Sequence, residues 1–306
     1  MRTERRRQVS NRGGMGRSII RAEWICRVCM ITVACVIVSC SAFTQERETY
    51  PYSDSEVEGI VSRFRKGHDQ GSAAAAFAVI DQFVAHPDSV SAFLVEFIVD
   101  EIGRQRTPGA EASLEKLLLL DSNQPGVLVV MTAAALAYGD LGGPRALEFL
   151  SALVLSGKNR ILPALATALG DLDDPDAVEP LEVLGMSDVV RVKQRAIVAL
   201  SRYCAPSSRT LVSHSISVAS DIRIRRSAIW WLLQCGTDED REYFVESLSG
   251  SDELLVEHAI RGLLRLKLRD ACSKTASLVG SPSSTIRTKA KRYEEFCRAE
   301  AETEGR

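Results

Sequence analysis

The histidines of this 306-residue chain are the first side chains to consider for metal binding or acid–base chemistry. They are His68, His86, His214 and His258, and they lie far apart in the sequence. No His-x-x-x-His or Glu-x-x-His pair places two metal ligands on one helix face. The sequence also lacks a Gly-x-Ser-x-Gly nucleophile motif and a phosphate-binding Walker loop. We therefore expect no catalytic residue, no metal and no cofactor, and we expect that the protein is not an enzyme.

Four closely spaced aspartates raise the question of calcium binding. They are Asp171, Asp173, Asp174 and Asp176. An EF-hand loop needs a ligand at its fifth position and a glycine at its sixth, but here Pro175 occupies the fifth position and no glycine follows. Aspartates beside a helix start also cap free N–H groups and complement the helix dipole. We interpret these residues as helix caps.

The first 39 residues have the organisation of an export signal. They contain eight arginines and two acidic residues, and residues 28–39 form an uncharged apolar run (VCMITVACVIVS). This run is too short to span a bilayer, which needs about 20 residues, but it fits the apolar region of a secretory signal. The tetrapeptide Ile37-Val38-Ser39-Cys40 resembles the bacterial lipobox. The resemblance implies cleavage before Cys40, lipidation of its thiol and acylation of its new amino group, and several acyl chains anchor a protein stably.

Two alternatives to the lipid anchor are an uncleaved signal-anchor helix and simple secretion with Cys40 unmodified. The basic segment is long for a signal, and translation from Met15 would give a more usual length. The Cys26-x-x-Cys29 pair could suggest a metal or redox motif, but it lies in the segment that cleavage would remove. Residues 40–53 are polar, and we interpret them as a flexible tether. Ser41 is compatible with sorting to an outer membrane, so the expected location is the exported side of either envelope membrane.

The elements that position all other side chains come from a repeat of about 31 residues. One column contains Leu165, Ala196, Ala228, Ala259 and Ala290, at steps of 31, 32, 31 and 31 residues. Two further columns keep the step and contain Ile161, Val192, Ile224, Leu255 and Ile286, and Leu169, Leu200, Leu232 and Leu263. A fixed period of this size predicts a stacked array of helix pairs. Apolar periodicity predicts earlier helices over 54–66, 72–85, 90–104, 110–120, 126–138 and 145–156.

Residues 168–181 have the clearest repeat motif. Their pattern, Ala-Leu-Gly-Asp-Leu-x-Asp-Pro-x-Ala-Val-x-Pro-Leu, resembles short HEAT-like repeats, a type that includes subunits of phycobilin lyases. The resemblance implies an all-α fold, a right-handed α-solenoid (α-α superhelix) of stacked helix pairs. We divide the expected body into divergent repeats over 54–158, regular repeats over 159–299 and a disordered tail over 300–306. The last repeat is polar in columns that are apolar elsewhere, as a capping repeat should be.

Four cysteines remain in the predicted body, namely Cys204, Cys235, Cys272 and Cys297. Export would allow them to form disulfides. Cys204 and Cys235 each close the first helix of a repeat, one repeat apart. Neighbouring helices pack about 8–10 Å apart, whereas a disulfide needs Cα atoms within about 7 Å. We therefore expect small buried thiols, and the sequence leaves their redox state open.

Trp230 is the side chain on which we base a partner-binding hypothesis. The outward-facing stripe of each first helix is predicted by offsets of three, four and seven residues. The stripe residues are Arg191, Gln194, Arg195 and Val198, then Arg223, Arg226, Ser227 and Trp230, then Leu254, Glu257, His258 and Arg261. An exposed tryptophan beside arginines is a common binding hot spot. The candidate residues are Trp230, Arg223, Arg226, Arg195 and Arg261, and the alternative is that Trp230 packs on the helix rim or stacks on an arginine.

The second helices of the repeats are expected to line the concave face. Their acidic residues, Glu179, Glu182, Asp240, Glu242 and Glu246, are interpreted as a solvated surface. Without residues 1–39 the chain has 30 basic and 38 acidic residues, a net charge of about −8. Such a charge disfavours general nucleic-acid binding, which needs a positive surface.

The sequence favours a membrane-anchored, non-enzymatic scaffold that binds another envelope protein. Its membrane contact would be the lipid at Cys40, and we expect no nucleic-acid partner. Two alternatives stay open: a lyase-type enzyme subunit, and a structural lipoprotein that spaces envelope layers without a specific partner. The partner's identity, the organism and the oligomeric state do not follow from the sequence.

Overall fold

A computed structural model describes residues 51–66, 70–121, 123–157 and 160–304. Pro51–Arg306 forms one compact unit. Its described residues form fifteen α-helices and no strand. The helices are α1 (Asp54–Lys66), α2 (Gln70–Ala85), α3 (Ala92–Gln105), α4 (Glu111–Leu118), α5 (Pro125–Leu141), α6 (Pro144–Leu155), α7 (Leu162–Asp171), α8 (Val178–Gly185), α9 (Val190–Leu200), α10 (Arg209–Val218), α11 (Ile222–Cys235), α12 (Arg241–Ser247), α13 (Glu253–Arg265), α14 (Cys272–Leu278) and α15 (Ser284–Glu304).

The odd-numbered and even-numbered helices form two layers. Each odd-numbered helix, the A helix of its repeat, packs on the next odd-numbered helix from α1 to α15. Each even-numbered helix, the B helix, packs on a neighbouring A helix. This order confirms the expected all-α solenoid of stacked helix pairs.

The repeat columns form the contact surface between A helices. Leu165, Ala196, Ala228, Ala259 and Ala290 are all fully buried. Glycines bring neighbouring A helices still closer in the first half of the array. A Cβ atom on Gly139 would lie 2.8 Å from the backbone of Ala168, and one on Gly170 would lie 2.6 Å from the Ala199 Cβ. The small side chains therefore set the helix spacing, because larger ones would hold the helices apart.

The helix boundaries follow local capping chemistry. Pro125 and Pro144 occupy the first turns of α5 and α6, where a missing N–H has no cost.

The predicted helix over 54–66 is confirmed. Helix α5 continues to Leu141, three residues beyond the predicted end.

Both ends of the array are more ordered than the sequence suggested. The backbone N–H of Tyr52 donates to Gln82 Oε1 at 3.0 Å, and Gln82 Nε2 donates to the Tyr52 carbonyl at 2.9 Å. The end of the expected tether is therefore fixed to the body. We expected a disordered tail over 300–306, whereas helix α15 continues to Glu304.

The apolar helix α5 is buried inside the array, as expected. Nine of its residues are buried, among them Met131 and Tyr138. Within the described ranges, no helix is both long and apolar enough to cross a membrane. The predicted signal segment, the lipidation site Cys40 and most of the tether lie outside the described residues.

Candidate functional site

Trp230 lies on the surface of helix α11, opposite the face that packs in the core. Trp231, the next residue, is 1% exposed, whereas Trp230 is partly exposed. The Trp230 ring centroid is 5.3 Å from that of His258 on α13, with the planes at 56°. The Arg261 guanidinium carbon is 6.0 Å from the same centroid. The sequence predicted both the partial exposure and the alternative of contact with an arginine, and the structure combines them.

The arginines predicted beside Trp230 are held by aspartates at helix starts. Asp221 caps α11 by accepting from the Arg223 N–H at 2.8 Å, and its carboxylate also pairs with the Arg223 guanidinium at 2.8 Å. Asp252 caps α13 through the Leu255 N–H at 3.0 Å and accepts from Arg226 Nε at 3.0 Å. Arg223 and Arg226 therefore already have carboxylate partners within the chain, and their role in partner binding stays a prediction.

These ion pairs lower the pKa values of the two aspartates. Hydrogen bonds from the Arg223 side chain and backbone lower the pKa of Asp221 to about 2. The hydrogen bond from Arg226 is the main cause of the lowered pKa of Asp252, and burial opposes it. Both carboxylates are therefore ionised at neutral pH and remain bound to their arginines.

Of two other members of the predicted stripe, one differs from expectation and one agrees with it. Ser227 is buried, and its hydroxyl donates to the Arg223 carbonyl at 3.0 Å, so it does not face outward. Arg195 on α9 is exposed, as expected, and no ring contact joins it to Trp230 in the described structure. The helix periodicity therefore predicted the outward face of the A helices correctly, but it could not predict which residues at the border of that face are buried.

A surface cleft extends from Arg261 between helices α11, α13 and α15. It encloses about 490 Å³. We call it the basic cleft, and its lining residues are Leu233, Gln234, Arg261, Leu264, Arg265, Lys289 and Arg292. Four of these seven side chains are cationic and none is acidic. The arrangement can bind an anionic group, because several cations share one concave surface with apolar walls.

The cations of the basic cleft have two different roles. Arg265 Nη2 donates to the Leu232 carbonyl at 3.3 Å and to the Gly236 carbonyl, so this side chain closes the end of α11. Burial lowers the pKa of Arg265. In the described part of the chain, no carboxylate lies within ion-pair distance of Lys289 or Arg292. Arg261 has only a distant one, with 3.9 Å between its Nη1 and Glu257 Oε1.

The first half of the A layer has the opposite charge. Burial raises the pKa values of Glu96, Asp100 and Asp140, and a neighbouring carboxylate adds to each rise. A smaller cleft there includes Asp100 and Glu101, but Glu101 is already paired with Arg104. Because its charges are partly compensated, this cleft is a weaker candidate for binding a charged ligand.

The acidic residues of the B helices are not all solvated. Asp240 is buried and accepts from Arg209 Nη1 at 2.6 Å and from the Thr237 N–H at 2.8 Å. Glu182 Oε1 accepts from the hydroxyls of Ser207 and Ser208, each at 2.7 Å. The interpretation as a free solvated face is wrong for these two residues. Glu179, Glu242 and Glu246 are exposed, as expected.

The aspartates around Pro175 act in capping and pairing. Asp174 Oδ1 accepts from the Asp176 N–H at 3.0 Å, at the start of a short 3-10 turn over Pro175–Ala177. Asp171 pairs with Arg202 of the next repeat. Among the described residues, no group of three or more His, Cys, Asp or Glu side chains could hold a metal ion.

The expectation of buried thiols is wrong, because the four body cysteines form two disulfides. Cys204 bonds to Cys235, with 5.0 Å between Cα atoms, and Cys272 bonds to Cys297, with 6.1 Å. Helix α9 ends at Leu200, so Cys204 lies in a turn beyond it, at φ +50°. This turn brings the Cα atom of Cys204 to that of Cys235 at the end of α11, and their separation is shorter than the distance between the axes of packed helices.

The sequence predicted Arg261 and Trp230 as candidate binding residues, but it did not predict Lys289, Arg292 or Gln234 of the basic cleft. A signal for Arg292 was present, because Trp230, Arg261 and Arg292 occupy one repeat column at steps of 31 residues. Lys289 precedes Arg292 by three residues, as His258 precedes Arg261. Continuing the predicted outward stripe into the capping repeat would have found both cations.

No protein-family model matches the chain, and no curated protein matches it. Three solved structures are similar to this one: an engineered protein, the complex of CpcE and CpcF of phycocyanin lyase from Nostoc sp., and a designed armadillo repeat protein. The engineered protein is 16% identical with TM-score 0.47, and the match covers 79% of this chain and 78% of that one.

The phycocyanin lyase match has 18% identity and TM-score 0.38, and it covers 83% of this chain and 97% of that one. The designed protein has 14% identity and TM-score 0.35, with 79% and 99% covered. Because these identities and TM-scores are low, we base the fold on the helix order and packing described above. We draw no functional conclusion from the three likenesses.

Proposed function

We propose that this chain is a lipid-anchored, non-enzymatic scaffold of the bacterial cell envelope that binds another envelope protein. The array supports the scaffold role, because stacked helix pairs present a long continuous surface on rigid elements. The fold alone does not determine function, so the proposal rests on further features of this chain.

The pairing of the body cysteines is the observation that carries the proposal of export. The predicted mature sequence from Cys40 onward has five cysteines, and four of them form the two disulfides. Disulfides persist in oxidising compartments and are rare in the cytosol of most organisms. This evidence is independent of the lipobox resemblance at residues 37–40, and it agrees with that resemblance. Cys40 is the remaining cysteine, as a lipidation site requires.

The anchor can be tested by intact mass measurement of protein purified from membranes of a bacterial host. We expect a chain that begins at Cys40 and carries added acyl mass. A Cys40→Ser variant should lose that mass and leave the membrane fraction, while Cys35→Ser, a matched change in the leader, should behave like the wild type. An unmodified chain that begins before Cys40 and is found in the cytoplasm would overturn the export proposal.

The scaffold role can be tested by crosslinking in intact envelopes. We expect a specific envelope protein to crosslink to the wild-type chain, and the yield to fall when loss of both disulfides destabilises the array. Recovery of no specific partner would contradict the scaffold role and favour a structural spacer.

A further inference from the structure

We propose that the basic cleft binds an acidic peptide segment of the partner, with carboxylates on Arg261, Lys289 and Arg292. This inference deepens the proposed function, because it assigns the partner's contact chemistry to one place on the scaffold. The cleft is formed by three A helices and is far in sequence from the predicted anchor.

The cations of the basic cleft indicate that its occupant is anionic. Lys289 and Arg292 have no carboxylate partner in the described residues, and Arg261 has only the 3.9 Å contact with Glu257. The like charges of three neighbouring cations repel one another, and a bound carboxylate relieves that repulsion. Arginine also offers two parallel N–H donors to a carboxylate.

The other lining side chains indicate a peptide. Leu233 and Leu264 form apolar walls, and the exposed Gln234 amide can both donate to and accept from a peptide backbone. Trp230 adds an aromatic surface next to Arg261. Tryptophan and arginine at the centre of a contact often supply much of its binding free energy. An occupant with carboxylates and apolar side chains in alternation matches this surface.

The charge of the rest of the chain disfavours a long polyanion. The predicted mature chain has a net charge of about −8. In the same A layer, Glu96, Asp100 and Asp140 make the first half acidic. The net negative charge disfavours a nucleic acid as the occupant, whereas a short acidic segment needs to contact only the cleft.

Calorimetric titration of the full protein in nonionic detergent tests the proposal. The probe is a twelve-residue peptide of alternating Glu and Leu, and its matched control has Gln in place of Glu. We expect binding of the Glu peptide only, and weaker binding as salt rises, because surface charges are screened over about 10 Å at 0.1 M ionic strength.

Charge reversal locates the binding. The double variant Lys289→Glu/Arg292→Glu should weaken binding of the Glu peptide by roughly tenfold or more. The control Lys274→Glu/Lys291→Glu makes the same charge change at exposed lysines outside the cleft lining and should weaken it less than about threefold. Trp230 fluorescence should respond to the Glu peptide, and Trp230→Phe should remove that response.

Three results would overturn the proposal: equal binding of the Glu and Gln peptides, equal losses in both double variants, or binding of anionic phospholipid vesicles without binding of the Glu peptide. If an envelope partner still crosslinks fully to Lys289→Glu/Arg292→Glu, the cleft proposal fails while the scaffold proposal stands. If the peptide binds as expected but no partner crosslinks, the scaffold proposal fails and the cleft remains an acidic-peptide site.

Discussion

Two aspartates at helix starts provide arginines of the A layer with carboxylate partners. Asp221 and Asp252 each cap a helix and also hold an arginine of the predicted binding stripe. Arg261 and Arg292 pair with neither of these aspartates, and both line the basic cleft. The repeat columns could predict which residues face outward, but they could not predict these pairs, since both depend on side-chain rotamers and the Arg226–Asp252 pair also joins two adjoining repeats.

At the residue scale, we predict that Gly262→Ala destabilises the array. A Cβ atom at Gly262 would lie 2.2 Å from Cε1 of Phe244, whose ring is fully buried. Overpacking of this kind costs about 1–3 kcal/mol, which a shift in the urea unfolding midpoint would measure.

A glycine in an open helical environment provides the control. A Cβ atom at Gly59 in α1 would have only the flexible Arg63 guanidinium nearby, at 3.7 Å. We expect Gly59→Ala to stabilise the protein by up to about 1 kcal/mol, since alanine favours helix. Equal effects of the two substitutions would contradict the predicted close contact of α12 with α13.

His258 should make stability depend on pH. Burial is the main cause of its lowered pKa, and Arg261 lowers it further, while Glu257 and Asp252 oppose the shift. The unfolded chain therefore binds a proton more readily at this site. The stabilising contribution is complete above the ordinary pKa of about 6.5 and is lost as pH falls through the lower folded value.

The comparison with His258→Gln isolates this effect. Between pH 7.5 and pH 5, the free energy of unfolding should fall more for the wild type than for the variant, which has no titrating imidazole. Urea unfolding at both pH values measures the two slopes. Parallel slopes would show that burial does not shift this histidine's pKa.

At the scale of elements, the helices were more predictable than their connections. The 31-residue columns gave the A helices and their buried faces, because side-chain periodicity follows from helix geometry. The turn at Cys204 was not predictable. Its φ of +50° is left-handed, and a cysteine rarely adopts that conformation. That turn brings the sulfur atoms together, and so the disulfide was missed.

The two disulfides should contribute strongly to stability. They close loops with sequence separations of 31 and 25 residues, and a chain-entropy model gives about 3–4 kcal/mol for each. We expect a reducing agent to lower the unfolding midpoint of the wild type. A variant with all four cysteines replaced by alanine should start lower and show no further change. A wild type insensitive to reduction would contradict the pairing.

At the scale of the whole molecule, the two ends of the A layer differ in charge. The N-terminal half has carboxylates with raised pKa values, and the C-terminal half has the basic cleft. The net charge computed from the sequence conceals this difference, because it sums both ends. The sequence did predict the order of the repeats. Because the repeats stack in that order, acidic and basic segments of the sequence form separate surfaces of the array.

Removal of the last helix should expose the core of the preceding repeat. Ile286, Ala290 and Tyr293 of α15 are buried, and α15 packs on α13 and α14. Deletion of residues 284–306, with Cys272→Ser to avoid a free thiol, should cost several kcal/mol, at roughly 1.5–3 kcal/mol for each large buried side chain. Size-exclusion chromatography and urea unfolding would detect the resulting aggregation and lower midpoint.

Deletion of residues 300–306 alone is the matched control. It leaves the buried residues of α15 and the Cys272–Cys297 disulfide in place. Its free energy of unfolding should match that of the full chain within about 0.5 kcal/mol. A loss as large as that of the longer deletion would show that the array does not end in a capping helix.

The positions of the disulfides also determine how the array responds to mechanical force. If the chain is pulled from its two ends, a reduced array could extend through every repeat. With both bonds intact, the loops between Cys204 and Cys235 and between Cys272 and Cys297 cannot lengthen. The maximum extension of the chain is therefore shorter by about 190 Å, at 3.4 Å per residue. The extension would then fall on the N-terminal repeats and on residues 236–271 between the two loops, which include Arg261 of the basic cleft.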